Sequence, residues 1–444
     1  MDTTSARRHP RAIRPESTPL LDRVGAAALA AALSPLIACR AAVAAAREGR
    51  VFDRHRRLGA GGRAITVRSF AGDTYGRRLP YLWSIVNGQA RFVGPQPLPA
   101  DAGDAPEARD WPTPGFMSPR RLRARTGIDY VEGSTAPEGE AGLPLPDQLF
   151  LASRYVIAEA LNGGGGRPER VDILGVEVTN TTMAETLDWV VGAARTRPPS
   201  FLAFVNSDCL NQAVEDPDYL GALRRTERVV PDGIGMRLAA RFQGYDIAEN
   251  VNGTDMLPLL CDRAVAEGLS LFFLGARPGI AQAAADVMRE QHPGLSVAGV
   301  RDGYFSPEDD DAVVAEVNAS GADVLLVAFG APRQEAWLDD HRDDLDIGVA
   351  MGVGGLFDFY SGRIPRAPVW VREVGMEWIW RLAQEPGRLW RRYLVGNPLF
   401  LRRTYTEARR MRHARPTPKR PPLLGYGTAI GTPGRVSTPP RRSA

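Results

Sequence analysis

Apolar and polar positions change their spacing twice along the chain. Between Leu20 and Cys39 alanine and leucine dominate, and the run from Val24 to Cys39 carries no charge. That run is shorter than the roughly 20 residues a spanning helix needs. Ser34-Pro35 interrupts it, because proline removes a helix hydrogen bond, and Arg40 follows at once. The pattern predicts a broken helix that dips into or lies on a membrane interface; an Ala-rich core helix of a soluble protein is the plainer alternative. A cleaved signal peptide fits less well, since no clear cleavage site precedes a secreted-type domain. Residues 50–165 follow as a basic segment of short strand-like and helical pieces. Asn162-Gly-Gly-Gly-Gly-Arg167 then reads as a linker and the clearest domain boundary.

Beyond the linker, short apolar runs alternate with amphipathic stretches. Val171–Val178 reads as a strand, and Thr182-Met-Ala-Glu185 as a capping box opening a helix to about Ala194. Buried strands are predicted at Phe201–Val205, Val229–Val230, Leu269–Leu274, Leu295–Val300, Ala322–Phe329 and Ile347–Val353. Helices are predicted between them, among them Met236–Phe242, Gly279–Gln291 and Glu308–Asn318. Such alternation predicts a mainly parallel, doubly wound sheet. From Pro368 to about Met411 the chain becomes helical, aromatic and arginine-rich. Residues 1–17 and 413–444, rich in Pro, Arg, Ser and Thr, are expected to be disordered.

Composition narrows the function only a little. At 444 residues, 44% hydrophobic and 24% charged, the chain has material for two or three domains. A net charge of +3 does not point to nucleic acid, although basic residues crowd the C-terminal part, with Lys419 the only lysine. Cys39, Cys209 and Cys261 are far apart, and the five histidines are isolated from one another, so neither a disulfide framework nor a metal site is expected.

The predicted strand ends carry the candidate chemistry. In Val229-Val-Pro-Asp-Gly-Ile-Gly235, Pro231 ends a strand, and the two glycines let the backbone approach a ligand. Asp232 then sits on the rim where open α/β sheets bind ligands. There it is either a general base for a substrate hydroxyl or a helix N-cap. Asn206 ends another strand. Leu274-Gly-Ala-Arg-Pro-Gly279 opens a helix whose free N–H groups suit a phosphate. Phe329-Gly-Ala-Pro-Arg-Gln-Glu335 repeats that design with Gln334 added, and Asp358 closes Gly352–Asp358 as an acid suited to a ribose hydroxyl. Each loop alone has a bland reading as a turn; together they predict one polar crevice for a nucleotide. Neither GxGxxG after a first strand nor a Walker motif occurs, which disfavours a dehydrogenase or an ATPase. Farther on, Arg388, Arg391 and Arg392 lie among Trp378, Trp380, Trp390 and Tyr393. That mixture suits an anionic lipid interface or a diphosphate, or else a solvated helix with its tryptophans in a core.

These blocks carry a resemblance. Residues 170–404 resemble the WecG/TagA/CpsF family of bacterial glycosyltransferases. The matching blocks are Val230–Gly235, Asn252-Gly-Thr-Asp255, Leu274–Gly279, Gly303-Tyr-Phe305, Gly330–Glu335, Gly352–Asp358, Arg366-Ala-Pro368 and Glu385-Pro-x-Arg388. The resemblance implies a Rossmann-like α/β fold with a C-terminal helical appendage. It also implies inverting transfer of an N-acetylmannosamine-type sugar from a UDP-sugar donor to a polyprenyl-diphosphate-linked acceptor, with neither metal nor cofactor. Asp232 would be the base. Asn206, Gln334, Asp358 and the Gly275–Gly279 turn would hold substrate, and Arg388, Arg391 and Arg392 would face the lipid diphosphate. Two positions depart: Phe204 stands where many members have Thr, and Asn250 where many have Arg.

Residues 20–130 resemble a polyprenyl sugar-phosphate transferase, through the Ser34-Pro35 break, Leu79–Gly88 and Phe92-Val-Gly-Pro-Gln-Pro97. That family needs an Asp-Glu pair before Leu-Pro, where this chain has Arg77 and Arg78; Gln96 replaces an arginine. Guanidinium groups are neither nucleophiles nor Mg²⁺ ligands, so the implied domain is a catalytically dead, small α+β membrane-docking unit. The expected organisation is 18–161 for that domain, 162–169 linker, 170–367 α/β domain and 368–412 helical appendage. The expected location is the cytoplasmic face of the bacterial inner membrane. A homo-oligomer is compatible with the sequence but not specified by it. Two rivals stand: a bifunctional phosphotransferase/glycosyltransferase, and a non-enzymatic scaffold of a polysaccharide assembly complex that would bind no UDP.

Overall fold

The computed structural model describes residues 19–72, 77–95, 97–99, 112–118, 122–123, 144–162 and 166–414. Residues 1–17 and most of 413–444, expected to be disordered, lie outside this set, as do Gln96 and residues 163–165 of the glycine run.

The N-terminal part opens with the helices Leu20–Ala32 and Ser34–Glu48, bent by 68° at the break the proline predicts. Among the described residues no single helix is long and apolar enough to cross a membrane, although this bent pair passes together on length and composition. The first helix is tied down by Asp22, which accepts from Phe92 N at 3.1 Å, and by Arg23, which donates to Val86 O at 2.9 Å. Strands β1 (Phe52–Leu58) and β2 (Ala64–Phe70) form an antiparallel hairpin, and β3 (Arg91–Val93) pairs with β4 (Gly115–Met117) in parallel. Ala26, Val67, Tyr81, Leu82 and Ile85 make a small core there. A helix, Leu145–Asn162, leads out of this part.

Past the glycine run the chain first departs from its expected elements. The strand expected over Val171–Val178 is a hairpin, β5 (Arg170–Ile173) and β6 (Val176–Thr179), turned at Leu174 and Gly175 with φ of 55° and 82°. The apolar positions change phase here, Val171 and Ile173 before the turn and Val176 and Val178 after it, so the period of two breaks at Leu174-Gly175 where the chain reverses. Thr182 then caps the helix Met183–Ala193 in the expected box with Glu185.

The remaining strands are β7 (Ser200–Val205), β8 (Arg228–Pro231), β9 (Ser270–Gly275), β10 (Ser296–Arg301), β11 (Val324–Ala328) and β12 (Val349–Gly352). They form one six-stranded sheet in the order β10-β9-β11-β12-β7-β8, every pair parallel. In the inner strands side chains alternate between two buried faces, which is why these strands read as nearly continuous apolar runs, whereas the edge strand β10 is only partly buried. Leu271 and Phe273 join Leu202, Leu326 and Met351 beneath the helices Met183–Ala193, Gly253–Glu267 and Ile280–Gln291. Phe272, Leu274, Leu325 and Val327 face the helices Asp310–Ala319 and Arg333–Asp340. Ala203, Val205 and Val229 face Ser207–Glu215, Pro217–Arg225 and Ile234–Phe242. This is the α/β, doubly wound fold expected. The appendage follows as short helices at Val369–Glu373, Glu377–Gln384 and Pro386–Trp390, a π-helical turn at Arg391–Gly396, and a long helix, Asn397–Ala414. Phe400 of that last helix is fully buried and packs into the α/β core.

Candidate active site

The carboxyl ends of β7, β8, β11 and β12 open into one cavity of about 750 Å³, roofed by the appendage. Asp232 follows β8 directly. Its backbone N–H donates to Val205 O at 2.8 Å, continuing the β8–β7 pairing. Gly233, at φ 90°, starts the helix Ile234–Phe242 with no side-chain cap, so Asp232 is not the cap of this helix. Its carboxyl lines the cavity instead, and the Gly233 N–H donates to Asn250 Oδ1. Burial pushes the Asp232 carboxyl up to about 7, the Glu377 carboxylate adds to the rise, and Arg392 and Arg381 pull it back. The group is therefore poised between its two protonation states near neutral pH, as a general base requires.

Asn206 occupies the matching position after β7. Its Oδ1 accepts from Asp208 N at 3.0 Å and Cys209 N at 3.3 Å, capping the helix Ser207–Glu215. Arg392 reaches in from the appendage, with Nη2 3.4 Å from Asn206 Oδ1 and Nε 3.3 Å from Asp208 Oδ2. Gly235 crosses close to this loop: a Cβ there would stand 3.2 Å from Ser207 Cβ.

Gln334 lines the cavity but is almost wholly buried and committed to protein partners. Its Oε1 accepts from Gly330 N at 3.1 Å and Gly354 N at 2.9 Å, and its Nε2 donates to Glu335 Oε1 at 2.7 Å. It thus ties the loop after β11 to the loop after β12. Burial pushes Glu335 up to about 7 as well. Asp358, in the short helix Leu356–Tyr360, lines the cavity and pairs with Arg363 at 2.7 Å.

Three expected positions fall elsewhere. Gly275 and Gly279 are not among the lining residues, because β9 lies outboard of β11 in the sheet and its loop opens beyond the cavity. Gly275 serves close packing: at φ 124°, a Cβ there would stand 2.7 Å from the Ala328 carbonyl. Arg388 and Arg392 line the cavity, whereas Arg391 does not and lies over the Trp390 ring, 5.3 Å from its centroid.

The structure adds residues to which sequence patterns assign no role. Asn252 caps the helix Gly253–Glu267, and its Nδ2 donates to Asp255 Oδ2 at 2.7 Å. Asp255, 2% exposed, also accepts from Arg366 and lies 3.5 Å from Arg372 Nη1. Arg366 in turn sits 4.0 Å from Glu377. Asp255, Arg372, Glu377 and Arg381 all line the cavity. Nothing in the sequence pairs Asp255 with arginines 111 and 117 positions downstream. Among the described residues, no three His, Cys, Asp or Glu side chains converge as a metal site; the positive charge at the cavity comes from arginines.

A carboxylate near neutrality, an arginine-lined cavity and a parallel sheet that presents both at its carboxyl edge make a site for an anionic substrate and a proton transfer. The model of the glycosyl transferase WecG/TagA/CpsF family matches residues 171–414. The chain belongs to that family. The match begins at β5 and ends with the long appendage helix, so it takes in every cavity-lining residue named above. The chain is thus a glycosyltransferase of cell-surface polysaccharide synthesis, of a family whose donors are nucleotide sugars and whose acceptors are lipid-linked.

Proposed function

We propose that this glycosyltransferase moves an N-acetylmannosamine-type sugar from a UDP-sugar to a polyprenyl-diphosphate-linked sugar, with inversion and without a metal. The observation that carries the reading is Asp232, at the end of β8, sharing one cavity with Arg381, Arg388 and Arg392. The Asp232 carboxylate takes the proton of the acceptor hydroxyl as that oxygen attacks the anomeric carbon from the face opposite UDP. The bond from the anomeric carbon to the diphosphate oxygen breaks, and UDP leaves with its electron pair. The guanidinium groups offset the charge that develops. Asp358 and the loops tied by Gln334 bound the donor side.

The N-terminal domain is a catalytically dead docking unit on the cytoplasmic face of the bacterial inner membrane. In place of the acid pair its relatives need, Arg77 stands 3.4 Å from Asp53 and leads with Arg78 into the Leu79–Tyr81 turn. The bent helices Leu20–Ala32 and Ser34–Glu48, with Leu20, Leu21, Val24 and Leu36 exposed, fit an interfacial position.

The test is UDP release from a panel of UDP-sugars, with a polyprenyl-diphosphate-GlcNAc analogue as acceptor. Acceptor-dependent release from one donor, lost in Asp232→Asn, is the expected result. No release and no UDP binding would favour a scaffold instead, and UMP release by the N-terminal half would restore the bifunctional reading.

A further inference from the structure

The short helix Val369–Glu373 holds two charged residues that point in opposite directions. Arg372, 7% exposed, reaches the cavity: its Nη1 is 3.5 Å from Asp255, and its Nε donates to Ala367 O at 3.1 Å. Glu373, 1% exposed, turns the other way, into the N-terminal part of the chain. There it accepts from Arg123 Nε at 2.9 Å and from Arg154 Nη1 of the helix Leu145–Asn162. An acid this deeply buried is costly unless paired and hydrogen-bonded, and both of these partners come from outside the family-matched region.

The same contact continues in aromatic side chains. Arg154 lies over the Phe150 ring, 4.5 Å from its centroid, and Phe150 meets Trp370 edge-on at 6.0 Å. The helix Leu145–Asn162 also packs on the helix Ile234–Phe242, which starts two residues after Asp232. The turn that leaves Glu373 closes against that second helix too, since a Cβ on Gly375 would stand 3.3 Å from Ile234 Cβ. The residues of the N-terminal part therefore grip the roof of the cavity where it joins the α/β domain.

We propose that the N-terminal domain is a built-in clamp for the appendage, and that Glu373, Arg123 and Arg154 are positioning residues for transfer. The clamp fixes the helix Val369–Glu373, and through it Arg372 on Asp255 and the segment Glu377–Gln384, which brings Glu377 and Arg381 over Asp232. The contact to the roof is made in cis, by residues of the same chain. The proposal rests on the transferase reading for its activity readout alone.

The test uses the full chain, comparing wild type with Arg123→Ala/Arg154→Ala and, as a milder lesion on a half-exposed side chain, Phe150→Ala. Hydrogen exchange of residues 366–396 is measured beside that of the sheet strands, together with UDP binding and steady-state turnover. The expected result is exchange at least tenfold faster in 366–396 with the strands unchanged, a kcat lowered at least tenfold, and nearly unchanged UDP affinity. A smaller change of the same kind is expected in Phe150→Ala, and Arg123→Lys/Arg154→Lys should recover part of the protection. Unchanged exchange in 366–396 in both lesions overturns the proposal, as does faster exchange with full turnover. Failure of wild type to turn over any donor overturns the transferase reading instead, and the exchange and UDP-binding arms then decide the clamp.

Discussion

Arg392 bridges two parts of the molecule: its guanidinium lies 3.4 Å from Asn206 Oδ1 and 3.3 Å from the Asp208 carboxylate. The asparagine ends the first strand of the sheet and the arginine belongs to the π-helical turn of the appendage, 186 positions away. The contact places a permanent positive charge within electrostatic reach of Asp232, where it restrains the rise of that carboxyl.

Removing that charge should therefore slow transfer more than it disturbs the fold. Arg392→Ala is expected to lower kcat by about 10²–10³, the usual cost of losing one preorganised stabiliser of developing charge. Arg391→Ala, whose side chain lies on Trp390 outside the cavity, should change kcat less than threefold or so on the same scale. Steady-state kinetics of the two variants side by side checks the contrast; equal losses would place the diphosphate elsewhere.

The pH dependence follows from Asp232. Activity should rise through an apparent pKa near 7, because only the carboxylate can accept the proton. Stability should run the other way. The folded state raises this pKa above its usual value of 3.8, so the stability linked to it is full below that value and is lost as pH climbs through about 7. Asp232→Asn should thus abolish transfer while raising stability at pH 8 by about 1–3 kcal/mol. Denaturation midpoints at pH 5 and pH 8 test the sign, and a variant less stable at pH 8 than wild type would contradict it.

Gln334 and Gly352 should give one phenotype through two different lesions. Gln334→Ala strips the Gly330 and Gly354 N–H groups of their acceptor, a loss of about 1–3 kcal/mol. In Gly352→Ala the new Cβ would stand 2.6 Å from Gln334 Nε2 and push that side chain off the same two groups. Both variants should raise KM for the donor more than they lower kcat, since the residue shapes the loops instead of meeting the reacting atoms. A kcat loss with unchanged KM would assign Gln334 a direct role.

Asp255 is the hub of the buried charges, so its loss should be severe. Asp255→Ala leaves Arg366 and Arg372 without their shared carboxylate and Asn252 Nδ2 without its acceptor. The expected cost is about 3–5 kcal/mol, against much less for exposed pairs such as Arg263–Asp188. Urea titration of Asp255→Ala and Asp188→Ala measures the difference, and similar midpoints would remove Asp255 from that position.

Every strand of the main sheet was legible in the sequence; the inner strands, buried on both faces, are nearly unbroken apolar runs, whereas the edge strand Ser296–Arg301 is partly exposed and mixed. The hairpin at Leu174-Gly175 was read as one strand, although the apolar positions change phase there, from Val171 and Ile173 to Val176 and Val178. Asp232 stood out as an acid between a strand-ending proline and two glycines, but cap and base differ only in where the carboxyl points. The Gly275–Gly279 turn resembled the loops that line the cavity, yet strand order, which local spacing does not encode, moved it outboard. The same holds for the charge partners. Asp255 with Arg366 and Glu373 with Arg123 and Arg154 are pairs of residues 111, 250 and 219 positions apart. The sequence by itself determined where the six strands of the main sheet lie, where the chain breaks at Ser34-Pro35, and which strand ends are polar, since these follow from neighbouring residues. Only the tertiary structure decided which strand ends share a cavity and which arginines face which acids, because burial and Coulomb attraction depend on distance in space and not along the chain.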